Sequence, residues 1–370
     1  MHATFQNLMS DATRLTRAGN LQAATAAIQA ALGGAAATAP AATADPTVID
    51  VEAIEIASDV PLPASRAAQA ADTVQAADAV QAADTPHPRD CFIADSHAEG
   101  AGHLAYKLYI PPGAGEAQPL VMMLHGCTQN PDDFALGTGM NDLARAHGMY
   151  VLYPAQAQRA NSARCWNWFK HNHQGRGRGE PALLAGMVRD VMRRYAIDPS
   201  RVYVAGLSAG GAMAAILGDA YPELFAAVGV HSGLPTGAAT TMQAALGAMK
   251  TGTSHPVRRA TSPPTIVFHG DLDTTVHPAN GEQVVNASAG GSAVQQQRAQ
   301  RTQGEGGRDY TRRVYQQADG KVVAEHWAVH GAGHAWSGGR PQGSYTDASG
   351  PDASREMLRF FLDHPLATAR

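Results

Sequence analysis

The feature of this sequence that most limits its fold is a set of short, unbroken apolar runs that alternate with helical patterns after Cys91. The runs, bounded by glycine or proline, are "PLVMMLHG", "GMYVLYP", "RVYVAG", "FAAVGVHSG" and "PTIVFHG". The helical patterns include "EPALLAGMVRDVMRRYAI" and "DASREMLRFFLDHP". A strand that is apolar at every position is buried on both faces, and strand-helix alternation favours parallel order. The sequence therefore predicts an α/β fold, a three-layer sandwich around a mostly parallel central sheet.

The chain before this pattern has a different composition. Residues 1–34 carry apolar side chains at helical spacing, which predicts a short helical segment that docks or self-associates rather than one with a specific targeting role. Residues 35–88 are rich in alanine, aspartate, threonine and proline and contain the repeat "QAADTV QAADAV QAADTP". Few large apolar groups are available there, so we expect a disordered linker. The α/β domain is then predicted to occupy residues 89–370.

Composition excludes several classes of function. The net charge of −4 provides no basic footprint for nucleic acid or an anionic membrane surface. The sequence contains no apolar run of membrane-spanning length and no secretory leader pattern, so we expect a protein without a membrane span that resides in the cytoplasm. The three cysteines lack zinc-site spacing, and neither metal nor cofactor is expected. Neutral or apolar substrates fit these features best.

A candidate nucleophile lies in "RVYVAGLSAGGAM", where Ser208 stands between Gly206 and Gly210. The pattern G-x-S-x-G is common enough by chance to prove little alone. Here, however, it follows an apolar strand pattern and precedes a run of small residues that can form a helix. In that context it predicts the nucleophile elbow of an α/β-hydrolase.

A candidate acid follows the buried strand in "PTIVFHGDLDTTV". The end of this strand places Asp271 and Asp273 at the carboxyl edge of the sheet, where open α/β sheets build their sites. We predict that Asp273 is the catalytic acid and that Asp271 shapes the turn. The alternative is that Asp273 only forms a turn or caps a helix.

A candidate base lies in "EHWAVHGAGHAWSGG". His326 and His330 share the parity of Ala328, so we expect them on the strand or at its end. His334 lies beyond two glycines on a loop that can approach the serine, and it completes the chain order serine, acid, histidine. We therefore predict His334 as the base, although a single histidine is more often structural.

The predicted oxyanion hole consists of two backbone amides. One is Ala209 N–H, the residue after the nucleophile, at the start of a new helix. The other is Cys127 N–H, just after the strand that ends at His125 and Gly126. A nucleophilic Cys127 thiol is the competing idea, but it lacks a histidine of its own. Together these groups predict attack by the serine on an ester carbonyl through an acyl-enzyme.

The motifs "LHGCTQNPDDF", "VLYPAQ", "RCWNWF", "IDPSRVYVAGLSAGGAM", "FHGDLDTTV" and "GAGHAWSGG" resemble, in this order, the esterase family of poly(3-hydroxybutyrate) depolymerases, which includes feruloyl and acetylxylan esterases. The resemblance covers roughly residues 90–365 and implies an α/β-hydrolase fold and a serine carboxylic-ester hydrolase. The expected substrate is the polyester or its oligomers, and a feruloyl or acetylxylan ester is the alternative. Another class of function is a polymer-granule binding protein with an idle hydrolase fold, docked or self-associated through residues 1–34. A hydrolase-fold peptidase is a weaker alternative.

Aromatic residues near these motifs are candidate substrate contacts. Trp166 and Trp168 in "RCWNWF", and Trp336 two residues past His334, can stack on an aromatic ring or flank an aliphatic chain, with core packing as the alternative. By resemblance, Cys127 and Cys165 are the pair that forms a disulfide in some relatives. The absence of a secretory leader favours reduced thiols instead, so both states remain open at this point.

Overall fold

The structure is a computed structural model, and it describes residues 91–100, 102–113, 116–253, 262–289, 295–296, 299–303 and 307–367. The helical segment predicted for residues 1–34 and the linker predicted for residues 35–88 lie outside the described residues.

The strands of the described chain form one large sheet and a small two-stranded sheet. They are β1 (Cys91–Glu99), β2 (Gly102–Ile110), β3 (Gln118–Leu124), β4 (Tyr150–Pro154), β5 (Ile197–Leu207), β6 (Ala227–His231), β7 (Thr265–Gly270), β8 (Gln295–Gln296), β9 (Gln300–Gln303), β10 (Asp309–Gln316), β11 (Val322–Val329), β12 (Trp336–Ser337) and β13 (Thr346–Asp347).

The large sheet runs in the order β1-β2-β4-β3-β5-β6-β7-β11-β10-β8, with β9 also paired to β10. The six strands from β4 to β11 in this order pair in parallel, and the flanking strands pair antiparallel. The apolar residues of β3, β4, β6 and β7 are all buried, as their unbroken apolar runs require. The predicted mostly parallel sheet is confirmed.

Helices cover both faces of the sheet. They are α1 (Pro131–Thr138), α2 (Met140–Ala146), α3 (Gly179–Arg194), α4 (Ala209–Ala220), α5 (Met242–Thr251), α6 (Ala279–Ala289) and α7 (Ala353–Leu362). The apolar faces of α3, α4, α5 and α6 pack into one core cluster, and those of α1, α2 and α7 pack into the other. This arrangement confirms the predicted three-layer sandwich.

The parallel strands determine where a site can form. The strands β3, β5, β6, β7 and β11 run in the same direction, so their carboxyl ends meet at one edge of the sheet. Every sequence motif that predicts a catalytic group follows one of these strands. In the part of the chain that the structure describes, none of the helices combines the length and apolar character needed to cross a bilayer.

Candidate active site

Ser208 occupies a sharp turn between β5 and α4. Its backbone angles are φ 57° and ψ −118°, and α4 begins at the next residue. A side chain at Gly206 would overlap the backbone of Gly210, and one at Gly210 would overlap the carbonyl oxygen of Leu124. Both glycines are therefore needed for the close packing of strand, turn and helix. This geometry is that of a nucleophile elbow.

His231, the last residue of β6, supports this turn. Its carbonyl oxygen accepts a hydrogen bond from Ser208 N–H at 2.9 Å. Its ring Nε2 accepts a hydrogen bond from Ser337 N–H at 2.9 Å, so the ring proton resides on Nδ1, 3.2 Å from Ser232 Oγ. Burial lowers the pKa of His231 to about 3, which keeps the ring neutral. One residue thus contacts both the serine turn and the loop that carries His334.

Asp273 and His334 are hydrogen-bonded. His334 Nδ1 lies 2.7 Å from Asp273 Oδ2, while Asp273 Oδ1 accepts hydrogen bonds from Thr275 N–H and Val276 N–H at 2.9 and 2.8 Å. Burial by itself would raise the pKa of Asp273, but hydrogen bonds from His269 and His334 outweigh it and hold that pKa well below its usual range. Asp273 is therefore an ionised acceptor that orients the His334 ring.

His269, on β7, is a second buried histidine beside Asp273. Its Nε2 lies 2.8 Å from Val276 O and 3.4 Å from Asp273 Oδ2. His269 therefore connects the turn that carries Asp273 to β7, the strand before that turn. Sequence reasoning missed this residue, although the His-Gly pair at the end of the apolar run "PTIVFHG" was a signal.

The remaining acid and histidine candidates lie where the sequence predicted. His326 is buried on β11, and His330 follows the last residue of this strand. Asp271 binds His330 Nδ1 at 2.8 Å and Gly331 N–H at 2.7 Å, so it shapes the turn. His334 is the ring that faces Asp273 from the loop after β11.

The hydroxyl of Ser208 and the His334 ring are not hydrogen-bonded in the described chain. Such contacts are often long in unliganded sites and tighten when substrate binds. The backbone ladder across this edge includes Ser208 N–H to His231 O and Ser232 N–H to Phe268 O, each at 2.9 Å. It connects the serine turn, after β5, to the end of β7 through the last residues of β6, so the serine and acid turns lie two strands apart.

Two backbone amides next to Ser208 are available as donors. Cys127 N–H and Ala209 N–H donate to no group among the described residues, and both residues line the same cavity as Ser208. Ala209 is the first residue of α4, where the helix dipole adds partial positive charge. The arrangement suits the binding of a negatively charged oxygen beside Ser208.

The cavity beside Ser208, here called the serine cavity, has a volume of about 520 Å³. Its wall is largely apolar. Met242 and Leu246 on α5 are each 54% exposed at this wall. The other large apolar side chains that line it are Trp168, Phe169, Leu234, Met249 and Val276. A cavity of this size and character accommodates a small, mostly aliphatic ligand.

The family model described as "Esterase PHB depolymerase" matches residues 104–307, more than half of the chain. The chain belongs to the esterase PHB depolymerase family. The resemblance seen in the sequence motifs is thereby confirmed.

Named relatives of this depolymerase-family chain fall into two groups. It is 32% identical over 246 residues to poly(3-hydroxyalkanoate) depolymerase C of Paucimonas lemoignei, a match covering 63% of the chain and 58% of that protein. It is 30% identical over 284 residues to poly(3-hydroxybutyrate) depolymerase of Ralstonia pickettii, covering 70% of the chain and 57% of that protein. It is 28% identical to acetylxylan esterase A of Aspergillus oryzae, covering 50% and 65%. The matches to the two depolymerases span less than two thirds of their length.

Among solved structures, an acetyl xylan esterase from Aspergillus awamori aligns with a TM-score of 0.58 at 20% identity. The alignment covers 73% of this chain and 99% of that structure. At this identity the likeness concerns the fold, and it agrees with the α/β-hydrolase architecture of the depolymerase family.

The three tryptophans of this depolymerase-family chain have different positions. Trp168 lines the serine cavity, and its contact with substrate stays a prediction. Trp166 is 0% exposed, and its Nε1 donates to His125 O at 3.1 Å. Trp336 is 1% exposed, donates to Ser354 Oγ and stacks on His231. The prediction that Trp166 and Trp336 contact substrate is therefore wrong, because both are packed in the core.

A buried carboxylate that the sequence did not reveal holds the "RCWNWF" segment. Glu180 Oε1 accepts hydrogen bonds from Gln156 Nε2 and Asn167 Nδ2, each at 2.6 Å, and its Oε2 accepts from Asn167 N–H at 2.7 Å. Asn167 lies between the two tryptophans of the segment. Glu180 therefore fixes the position of Trp168 at the cavity wall.

Cys127 and Cys165 form a disulfide. The bond resolves the alternative left open by the sequence in favour of the oxidised pair. It also corrects the competing idea of a Cys127 nucleophile, because the sulfur is already bonded. In this depolymerase-family chain the bond connects the loop that carries the Cys127 amide to the segment that carries Trp168.

Proposed function

We propose that the chain is a serine carboxylic-ester hydrolase that cleaves poly(3-hydroxybutyrate) or its oligomers, with Ser208, His334 and Asp273 as its triad. The observation that carries the proposal is the 2.7 Å hydrogen bond between His334 and the buried, ionised Asp273, at the sheet edge where Ser208 occupies a strained turn. Family membership and the names of the relatives support the same chemistry.

The proposed reaction proceeds through an acyl-enzyme. His334 Nε2 takes the hydroxyl proton as Ser208 Oγ bonds to the ester carbonyl carbon, and Asp273 stabilises the imidazolium. The amides of Cys127 and Ala209 bind the oxyanion. The ester C–O bond then breaks and His334 returns the proton to the leaving alkoxide. Water attacks the acyl-enzyme by the same route, releasing the acid and free Ser208.

The serine cavity supports an aliphatic acyl group as the preferred substrate. Its wall of Met242, Leu246 and Met249 offers apolar surface and few fixed polar groups, whereas a xylan-bound ester presents sugar hydroxyls that need hydrogen-bond partners. Soluble oligomers or amorphous polymer fit such a cavity better than a crystalline surface. Feruloyl and acetylxylan esters remain the alternative substrates, since acetylxylan esterases are among the relatives.

The disulfide indicates the kind of cellular compartment in which the protein acts. Disulfides persist in oxidising compartments and are rare in the cytoplasm. The bond between Cys127 and Cys165 therefore supports activity in an oxidising compartment rather than the cytoplasmic location expected from the sequence.

The triad is tested by Ser208→Ala. Removing the nucleophile should lower kcat on p-nitrophenyl butyrate by about 10⁴-fold to 10⁶-fold, because attack by water alone remains. Ser96→Ala, an exposed serine on β1, is the matched control and should retain wild-type kcat. Full activity of Ser208→Ala would exclude the triad, and an inactive wild type would favour a granule-binding protein with an idle fold.

The substrate is tested by comparing kcat/KM for 3-hydroxybutyrate oligomers, methyl ferulate and acetylated xylan. We expect the oligomers to be preferred, because the serine cavity offers mainly apolar surface. Preference for methyl ferulate or acetylated xylan would contradict the polyester assignment while leaving the esterase chemistry intact.

A further inference from the structure

A second cavity of about 680 Å³ adjoins the serine cavity. The two cavities are neighbours, because Ala160, Asn167 and Lys170 line both. The other walls of the second cavity come from the turn between β1 and β2 and from the first turn of α3. A ligand whose reacting ester lies at Ser208 can therefore extend into the second cavity.

The second cavity is lined by cations that lack acidic partners. Among the described residues, Arg159, Lys170 and Arg178 form no ion pair with a carboxylate, and Arg159 Nη2 donates instead to His103 O at 3.0 Å. Most exposed cations elsewhere on the described chain pair with an acid, as Arg193 does with Asp190. Three unneutralised cations at one cavity favour an anionic ligand.

Two carboxylates also line this cavity, and neither neutralises the three cations. Glu180 is 8% exposed, both its oxygens accept hydrogen bonds from Gln156 or Asn167, and His173 Nδ1 lies 3.4 Å from Oε2. Glu99 lies 3.6 Å from His97. The first turn of the 16-residue helix α3 also faces the cavity, and its free amides add partial positive charge.

The chemistry of a 3-hydroxyacid oligomer explains what this charge can bind. All ester bonds in such a chain run in one direction, so the fragment released as the alcohol always keeps the terminal carboxylate. Hydrolysis adds water across the ester C–O bond: the acyl fragment becomes an acid and the other fragment gains a hydroxyl. The leaving side of the site therefore always carries the carboxylate, whichever bond is cut.

We propose that the second cavity binds the terminal carboxylate of soluble 3-hydroxyacid oligomers through Arg159, Lys170 and Arg178, on the alcohol side of the ester at Ser208. This inference rests on the proposed esterase function and names its substrate class. The apolar serine cavity then holds the acyl side. A long polymer chain, whose carboxylate end is rarely near the bond being cut, does not benefit from these cations.

The test compares the 3-hydroxybutyrate trimer as the free acid with its methyl ester, at pH 8 and low salt. The two substrates differ in the terminal group, a carboxylate in one and a neutral methyl ester in the other, and initial rates of cleavage are followed at the internal ester bonds of both. We expect a KM for the free acid about tenfold lower than for the methyl ester, as charge-assisted hydrogen bonds provide. Raising the salt concentration should narrow this difference, because the cations are exposed.

The double variant Lys170→Gln/Arg178→Gln should bring the ratio of the two KM values close to one. Arg193→Gln, at the other end of α3 and lining neither cavity, is the control and should keep the wild-type ratio. The inference would be overturned if the wild type had equal KM values for the free acid and the methyl ester. It would also be overturned if the double variant kept the wild-type ratio of these KM values. If p-nitrophenyl butyrate is cleaved while the ratio is one, this inference alone fails. If that ester is not cleaved either, the proposed function fails with it.

Discussion

At Ser208 the backbone adopts a conformation that costs a residue with a side chain about 1–3 kcal/mol. The turn is stabilised by its neighbours: Ser208 N–H bonds to His231 O, and Gly206 and Gly210 allow the strand and helix to touch. The position of the hydroxyl at the wall of the serine cavity thus depends on two residues that contribute no side chain at all.

Replacing Gly210 by alanine should disrupt this turn. The new methyl group would overlap the carbonyl oxygen of Leu124, so we expect a loss of about 1–3 kcal/mol in the free energy of unfolding and a large fall in kcat. Gly247→Ala is the matched control, since the space around Gly247 in α5 is open and alanine should stabilise that helix by about 0.5–1 kcal/mol. Denaturant unfolding and p-nitrophenyl butyrate assays measure both effects. Wild-type behaviour of the Gly210 variant would contradict this account of the turn.

The residues around Ser208 show how far sequence reasoning extends. Local patterns predicted Ser208, Asp273 and His334 as a triad, because each follows an apolar strand in a distinctive motif, and the structure brings Asp273 and His334 within hydrogen-bond distance. Local patterns could not show whether Trp166 and Trp336 face the cavity or the core. Outside long regular elements, the spacing of residues does not indicate which side chain turns toward the core. Burial of those rings depends on partners distant in sequence, such as Ser354.

At the scale of elements, the disulfide connects two segments that both form the serine cavity. Cys127 follows β3 and Cys165 lies 38 residues later, before Trp168. Closing a loop of this length restricts the unfolded chain and also fixes the backbone that presents the Cys127 amide. The bond therefore has a role in stability and in the geometry of the predicted oxyanion hole.

The double variant Cys127→Ser/Cys165→Ser should lose about 2–4 kcal/mol of unfolding free energy. Its kcat should fall more than its KM rises, because the amide of residue 127 is proposed to bind the developing oxyanion. The control is Cys91→Ser, which lies outside the disulfide on β1 and should change neither quantity. Unchanged kcat in the double variant would show that the bond does not position the amide.

The elements themselves were largely predictable, because parallel strands place their carboxyl ends together and the motifs mark those ends. The side-chain contacts that connect one element to another could not be predicted from the sequence. His231 and His269 join neighbouring turns through contacts that depend on which strands are adjacent, and strand order is not encoded in any local pattern. Glu180 escaped notice for the same reason, as its partners lie on a different segment.

At the scale of the whole molecule, several buried histidines make stability depend on pH. Burial lowers the pKa of His125 to about 4 and the pKa values of His231 and His326 to about 3. In the unfolded chain these rings have a pKa near 6.5. Between these values the unfolded chain binds more protons than the folded one, so the free energy of unfolding decreases as the pH falls.

We expect the free energy of unfolding to drop by about 2 kcal/mol per buried histidine between pH 7 and pH 5. Over this range the carboxylates with lowered pKa values still contribute fully, since their contribution is lost only at lower pH. His326→Gln should reduce the slope of stability against pH, whereas the exposed His103→Gln should not. Denaturant titrations at several pH values provide the measurement. An identical slope in the His326 variant would contradict the assignment.

His231 connects the two segments that carry Ser208 and His334, the proposed nucleophile and base. Its carbonyl oxygen holds the turn of Ser208, and its ring holds Ser337, three residues past His334. The segments of the proposed nucleophile and base are thus both hydrogen-bonded to the same buried residue. This shared contact limits how far Ser208 and His334 can move relative to each other. A displacement that separates them must break hydrogen bonds at a residue that is almost completely buried.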